Sequence, residues 1–395
     1  MNLYFLKALL SGKLMTTPKF EGIIELSRQQ SKRFRQVEKT EKYKEYLALK
    51  EEVESAAFLA KKKQIKDVKY ANTDEAKKLA QFATLGKDKA VRGFLKDGSN
   101  AENTKVIRYN ELKAETQSAE FQKMNEFWKD ANRWASTPEG KKEVRYAELL
   151  KDEDIIFMQK ADMKLIANHE HYDLLWQDDF LWTNLKESDW KPGFAYPDGF
   201  KAVHSYSNER QAYVGGRNVE TANSKLYINT KKESVEGAAW DEKKGLTMMP
   251  FEYTSDVINM DKIAFEEGMT ISVKAKCNGT LNHGIYLRSK KHLPFISVFD
   301  FTGKKLWCGM KDSVKSDKQL KCLDGLLPLV DTVFAVSWYQ DEIIWYVNNM
   351  EVYRTKNTMP KGEKLYLHCY SFQFKNNKIS EGKLEVDWIR IFRNR

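Results

Sequence analysis

Long apolar runs are missing from this sequence: nowhere in its 395 residues is there anything close to the roughly 18 apolar residues that span a bilayer as a helix. A chain that crosses a membrane on helices is therefore excluded. Proline (8) and glycine (20) are too sparse for a collagen-like or low-complexity chain. Cysteine is scarce too. The four, Cys277, Cys308, Cys322 and Cys369, are too few for a disulfide scaffold, and none of their spacings is the short pair of a zinc site. Histidine is absent from residues 1–165, and no glycine-rich phosphate loop occurs there, so that part lacks the residues of an active site.

What remains is ample material for a core, with 42% hydrophobic and 12% aromatic residues, in a length that suits two or three domains. The composition is uneven. Residues 1–165 carry a net charge of +8 with 2 of the 10 Trp and 6 of the 20 Gly, whereas 166–395 carry +2 and all four Cys. A Lys/Glu/Ala-rich half followed by a Trp/Gly/Asn-rich half predicts a helical region joined to a β-rich domain. The overall +10 comes from Lys and Glu interleaved as on solvated helix faces, which argues against nucleic acid as a partner. The start, Leu3–Lys13, has no positive n-region, and Lys7 interrupts its apolar run. Residues 1–34 are accordingly read as a short docking segment, and a cytoplasmic or virion/intracellular assembly location is expected, with a secreted or cell-surface one as the alternative.

A spacing recurs over residues 35–165. Tyr46 precedes Phe58 by twelve residues, Phe82 precedes Phe94 and Tyr109 precedes Phe121 by the same interval, and Tyr146 precedes Phe157 by eleven. Each unit opens on a hydroxyl residue (Thr40, Thr73, Thr104, Thr137), and a Leu follows the first aromatic by three (Leu49, Leu85, Leu112, Leu149). Four degenerate helical units are predicted, stacked as an array or arm that offers protein partners a face. Trp128 and Trp134 are read as packing anchors.

From residue 174 the pattern changes to short alternating runs such as Met269–Ala275, Val333–Trp338 and Leu384–Ile391, which predict an antiparallel sandwich or barrel. The segments of this half also resemble, in order, glycoside hydrolase family 16, the laminarinase and lichenase-like enzymes. The likeness is carried by Leu175–Phe180 with Trp190, Ser207–Val214 with Asn218–Val219 and Leu226–Ile228, and Phe251–Asn259. Trp338 with Ile343–Asn348 and Gly382–Phe392 complete it. It covers residues 174–395 and implies a concanavalin A-like jelly roll.

The resemblance also implies a catalytic strand bearing Glu-x-Asp-x-x-Glu or a one-shorter form, with all three carboxylates on the cleft face. Here that stretch reads Leu293-Pro294-Phe295-Ile296-Ser297-Val298-Phe299-Asp300. Phe295 stands at the nucleophile, Ser297 at the helper and Asp300 at the acid/base, and a phenyl ring cannot form a glycosyl ester. Glu252, Asp256 and Asp261 lie on other segments and show no pairing. The catalytic positions are thus predicted to be dead, and the chain to be a structural or assembly component acting through its helical repeats. The alternatives are a lectin-like glycan-binding protein, with Tyr213, Tyr286, Trp307 and Trp338 as candidate sugar platforms, and a residual endo-glucanase or galactanase. The resemblance further implies a structural calcium at Asp387; no other cofactor is expected.

Overall fold

The computed structural model describes residues 3–164, 166, 172–196, 203–241, 243–279, 281–291, 293–315, 319–375 and 381–395. Two compact units divide the chain: Lys32–Asp162, and Met1–Ser31 together with Met163–Arg395. A helix ends at Lys160, and the first strand among the described residues begins at Tyr172. In chain order the helices are α1 (Leu3–Leu10), α2 (Thr17–Glu38), α3 (Glu41–Val53), α4 (Ala56–Asp67), α5 (Asp74–Leu85) and α6 (Lys89–Asp97). They continue as α7 (Thr104–Thr116), α8 (Ala119–Lys129), α9 (Arg133–Ser136), α10 (Pro138–Leu149) and α11 (Glu153–Lys160). None is long and apolar enough to cross a membrane among the described residues.

The helical unit is built from four hairpins: α3/α4, α5/α6, α7/α8 and α10/α11. In each, the second helix is capped fifteen residues after the first: Thr40 and Ser55, Thr73 and Asp88, Asn103 and Ser118, Thr137 and Asp152. Every one of these side chains accepts a backbone N–H of the first turn, each cap contributing about 1 kcal/mol. Asn103, not Thr104, caps the third unit, because its carboxamide oxygen reaches the Lys105 amide while Thr104 is already helical.

The residue eighteen positions after each first cap is Phe58, Val91, Phe121 or Ile155, and all four are buried. The twelve-residue aromatic spacing therefore describes the first and third hairpins only. In the second and fourth, Phe94 and Phe157 lie three and two residues beyond the buried Val91 and Ile155. The same alternation governs the first helices. Tyr46 and Tyr109 stand six residues after the cap, Phe82 and Tyr146 nine after it.

This offset decides which hairpins pack. Tyr46 stacks on Tyr146 (5.8 Å, 13°) and Phe82 on Tyr109 (4.8 Å, 16°), in both cases a sixth-position ring on a ninth-position ring. Ion pairs repeat the relation: Lys142 to Glu52 and Lys78 to Glu115 each join a fifth position to a twelfth. The hairpins are thus not stacked in sequence order, as the repeat pattern suggested. The first packs on the fourth and the second on the third, one pair inserted within the other. The connecting segments select this arrangement. Arg133 donates to the carbonyls of Ile65, Lys66 and Val68 at the end of the first hairpin, and Trp134 meets Phe58 edge-on at 5.4 Å. Tyr70 ties the start of the second hairpin to Asn125 of the third.

In the other unit two sheets pack face to face. Among the described residues one has 11 strands, with Met269–Asn278, Gly382–Asn394 and Thr332–Trp338 near its centre. The other has 7, in the order Gln319–Cys322, Leu306–Lys311, Phe295–Thr302, Asn282–Arg288, Leu365–Phe372, Val257–Phe265, Trp190–Pro192. Pairing is antiparallel except where Ser205–Tyr206 and Gln211–Tyr213 run parallel to their neighbours. Alternating residues of both sheets meet in one core, among them Ile285, Ile296 and Phe299 from the smaller sheet and Ile271, Phe334 and Trp345 from the larger. Phe5, Ala8 and Leu14 join this core, so the N-terminal segment is part of the sandwich unit. All four cysteines are free, three buried and Cys322 half-buried.

The nested pairing is tested by double-mutant cycles in the full chain. Tyr46 with Tyr146, and Phe82 with Tyr109, should each couple by about 0.5–1.5 kcal/mol when truncated to Ala. Coupling between Tyr46 and Phe82 in place of these would contradict the arrangement.

Candidate functional site

The outer face of the seven-stranded sheet carries the candidate site, and a bulge sets it up. Phe295–Thr302 pairs with Leu306–Lys311 in regular register up to Ser297 and again from Asp300, with a shift between them. A matching shift falls between Ile285 and Tyr286 on the strand Asn282–Arg288. Across this irregularity Val298 and Phe299 both enter the core, while Phe295, Ser297 and Asp300 fall on the outer side. The bulge is pinned from within the sandwich, where Trp345 Nε1 donates to the Ser297 carbonyl at 2.7 Å.

Phe295 does not line an open groove. It packs in a second apolar cluster with Phe194, Tyr213, Val257, Tyr286, Tyr370 and Phe372, and is only 9% exposed. Arg288 lies over three of these rings, its guanidinium carbon 4.5 Å from the centre of Tyr286, 5.3 Å from Phe295 and 5.5 Å from Tyr370. Its Nη2 donates to the Tyr370 hydroxyl at 2.6 Å. A cation–π contact in so dry a place contributes about 2 kcal/mol. The segment Gly193–Tyr196 covers one end of the cluster. His368 Nε2 accepts from the Ala195 amide, and Asn259 donates to the Gly193 carbonyl.

Asp300 is half-buried and takes a hydrogen bond of 2.7 Å from the Tyr286 hydroxyl. To reach it, the Tyr286 ring lies across Gly284, where a Cβ would come within 2.4 Å of the ring. Burial, then the Asp300 carboxylate, hold the Tyr286 phenol well above its ordinary range, so it stays a donor. Ser297 Oγ is buried and makes no hydrogen bond among the described residues. One carboxylate, one phenol and one hydroxyl thus stand together on this face, whereas a retaining glycosidase needs two carboxylates about 5–5.5 Å apart.

The remaining acids are occupied. Glu252 pairs with Arg210 and Asp261 with Lys191. Asp256 accepts from the amides of Val214, Gly216 and Asn218, which is loop architecture. Asp387 does not stand free for calcium: Lys274 Nζ sits 2.7 Å from it and 3.0 Å from Glu21, an ammonium where a metal was expected. Among the described residues no group of three or more His, Cys, Asp or Glu is placed to hold a metal ion.

The aromatic candidates divide. Trp338 is 1% exposed in the core beside Phe265, so it is no sugar platform; its strand turns it inward. Tyr213 and Tyr286 belong to the buried cluster. Trp307 alone of the four is half-exposed, opposite Asp300 in the strand register. One group escaped the sequence reading. Glu209 is buried, accepts from the Tyr206 amide and Gln211 Nε2, and is influenced by the Arg288 charge. It stands within Ser207–Val214, a segment used only to recognise the fold.

No known family profile matches the chain, and no curated relative does. Solved structures do align with it. The endo-β-1,3-glucanase of Pyrococcus furiosus is 17% identical and aligns over 57% of this chain and 95% of its own, with a TM-score of 0.46. The laminarinase catalytic domain of Thermotoga maritima gives 15%, 57%, 99% and 0.46. For the laminarinase of Flavobacterium sp. the figures are 18%, 56%, 100% and 0.44. The likeness is to family 16 laminarinases. At these identities and TM-scores it is a likeness and carries no argument about this chain.

Glu209 generates a pH prediction. Burial pushes its carboxyl up to about 8 from the ordinary 4.5. Between those values the folded chain holds a proton that the unfolded chain has released, so stability falls as pH rises through the window. Glu209→Gln removes that fall. Relative to the unmodified chain, the variant should gain on the order of a few kcal/mol in unfolding free energy between about pH 5 and about pH 8. A difference that stays flat with pH would show that Glu209 ionises freely in the fold.

Proposed function

We propose that the sandwich is non-catalytic and that the chain serves as a structural or assembly component, with its helical hairpins carrying the protein contacts. One observation carries the reading: Phe295, at the position the resemblance gives to the nucleophile, is packed against Tyr286 and roofed by Arg288. A glycosyl ester needs an oxygen nucleophile at that point, and water activated in its place needs a second carboxylate across the scissile bond. Asp300, held by Tyr286, supplies at most one of the two. The hairpins favour the assembly role because their capped, regularly spaced helices present solvated charged faces, as protein-binding helical repeats do. Sugar binding without turnover is the second reading, supported by half-exposed Trp307 beside Asp300.

Purified full-length protein should release no reducing sugar from laminarin or lichenan. Turnover that disappears in Asp300→Ala or Glu209→Gln would overturn the proposal, since losing an essential carboxylate removes about three or more orders of magnitude in rate. The sugar-binding reading requires a melting temperature raised by glycan in the unmodified chain and not in Trp307→Ala.

A further inference from the structure

Between Leu3 and Phe20 the chain carries Lys7, Lys13 and Lys19 and no acidic residue. Helix α1 turns Phe5 and Ala8 into the sandwich core and leaves Leu3, Leu6 and Leu10 outside, 65%, 41% and 79% exposed. Steps of three and four residues put these leucines on one stripe of the helix. Tyr4 is exposed beside them, and the three lysines are exposed as well. The apolar surface continues beyond the helix. Leu9 shares a groove of about 550 Å³ with Leu327 and Val330, and Leu327, Leu329 and Val330 are themselves exposed.

We propose that this face docks on the surface of an anionic lipid bilayer, with Leu3, Leu6 and Leu10 entering the interface and Lys7, Lys13 and Lys19 meeting the lipid phosphates. Short amphipathic helices bind membranes in this way, by apolar insertion reinforced by attraction to anionic headgroups. Charge favours a bilayer over a second copy of the chain. A two-fold contact would set this cationic segment against itself, where like charges repel. Phe5, Ala8 and Leu14 hold the helix against the sandwich, so the leucine stripe faces outward without further folding.

The test is co-sedimentation of the full chain with phosphatidylcholine vesicles, with and without phosphatidylglycerol. The chain should partition onto the anionic vesicles, less so as salt rises. The variant Leu3→Ser/Leu6→Ser/Leu10→Ser should lose about tenfold or more of that partitioning, and so should Lys7→Glu/Lys13→Glu/Lys19→Glu. Both variants should keep the parent melting temperature, because the altered side chains lie outside the core. Absence of binding to anionic vesicles, or binding undiminished in both variants, would overturn the proposal. So would a dimer in solution that the leucine variant dissociates while vesicles bind neither protein, which would assign the face to a second copy.

Discussion

The bulge between Ser297 and Asp300 is the constraint on which the outer face of the smaller sheet depends. A strand of strict alternation would send every second residue outward, and the extra residue changes that count once. Val298 and Phe299 both go into the core, and Phe299 meets Phe334 across the sandwich with ring centres 4.4 Å apart. Phe295, Ser297 and Asp300 are thereby held on one face, at the spacing the glycosidase motif uses. The Trp345 hydrogen bond to the Ser297 carbonyl ties the irregular stretch to the core from within the sandwich. The strand that carries these three residues is therefore well anchored.

Phe295 brings to this face a ring that must be buried, and the surroundings bury it. Tyr286, Tyr370 and Arg288 close over it, and the segment through Phe194 adds a further wall. Each part makes the others more stable, because Arg288 is tolerable in a dry place only where aromatic faces and the Tyr370 hydroxyl receive it. The same desolvation lifts Glu209. Opening a groove at Phe295 would mean exposing this whole cluster.

The sandwich was legible because its strands alternate cleanly and carry paired hydrophobic faces, as in Val333–Trp338 and Leu384–Ile391. Phe295 and Ser297 were legible as a pair because period-two spacing puts them on one face, whereas Asp300, five residues after Phe295, reaches that face only through the bulge. Trp338 was open between platform and core, with the core favoured, because a Trp on a strand reads alike whether it faces a cleft or the core, and only the partner sheet decides. Asp387 looked available because Lys274 and Glu21 are distant in sequence. In the helical unit the caps were readable from Thr40, Thr73 and Thr137, but the hairpin pairing was not. Sixth- and ninth-position rings suit neighbouring hairpins as well as distant ones, and the choice rests on Arg133 and Trp134, whose partners lie about seventy residues away.

The central claim, that the outer face holds no working pair of carboxylates, is tested most directly by carbon-13 NMR titration of the side-chain carboxyls. A catalytic pair titrates as a coupled unit, in which the charge of one acid moves the other by more than about one pH unit. The account predicts that Asp300 titrates in a single step that Glu209→Gln leaves in place. An Asp300 titration that divides into two steps in the unmodified chain and collapses to one in Glu209→Gln would contradict it, and would mean that a second carboxyl faces Asp300 across a functional cleft.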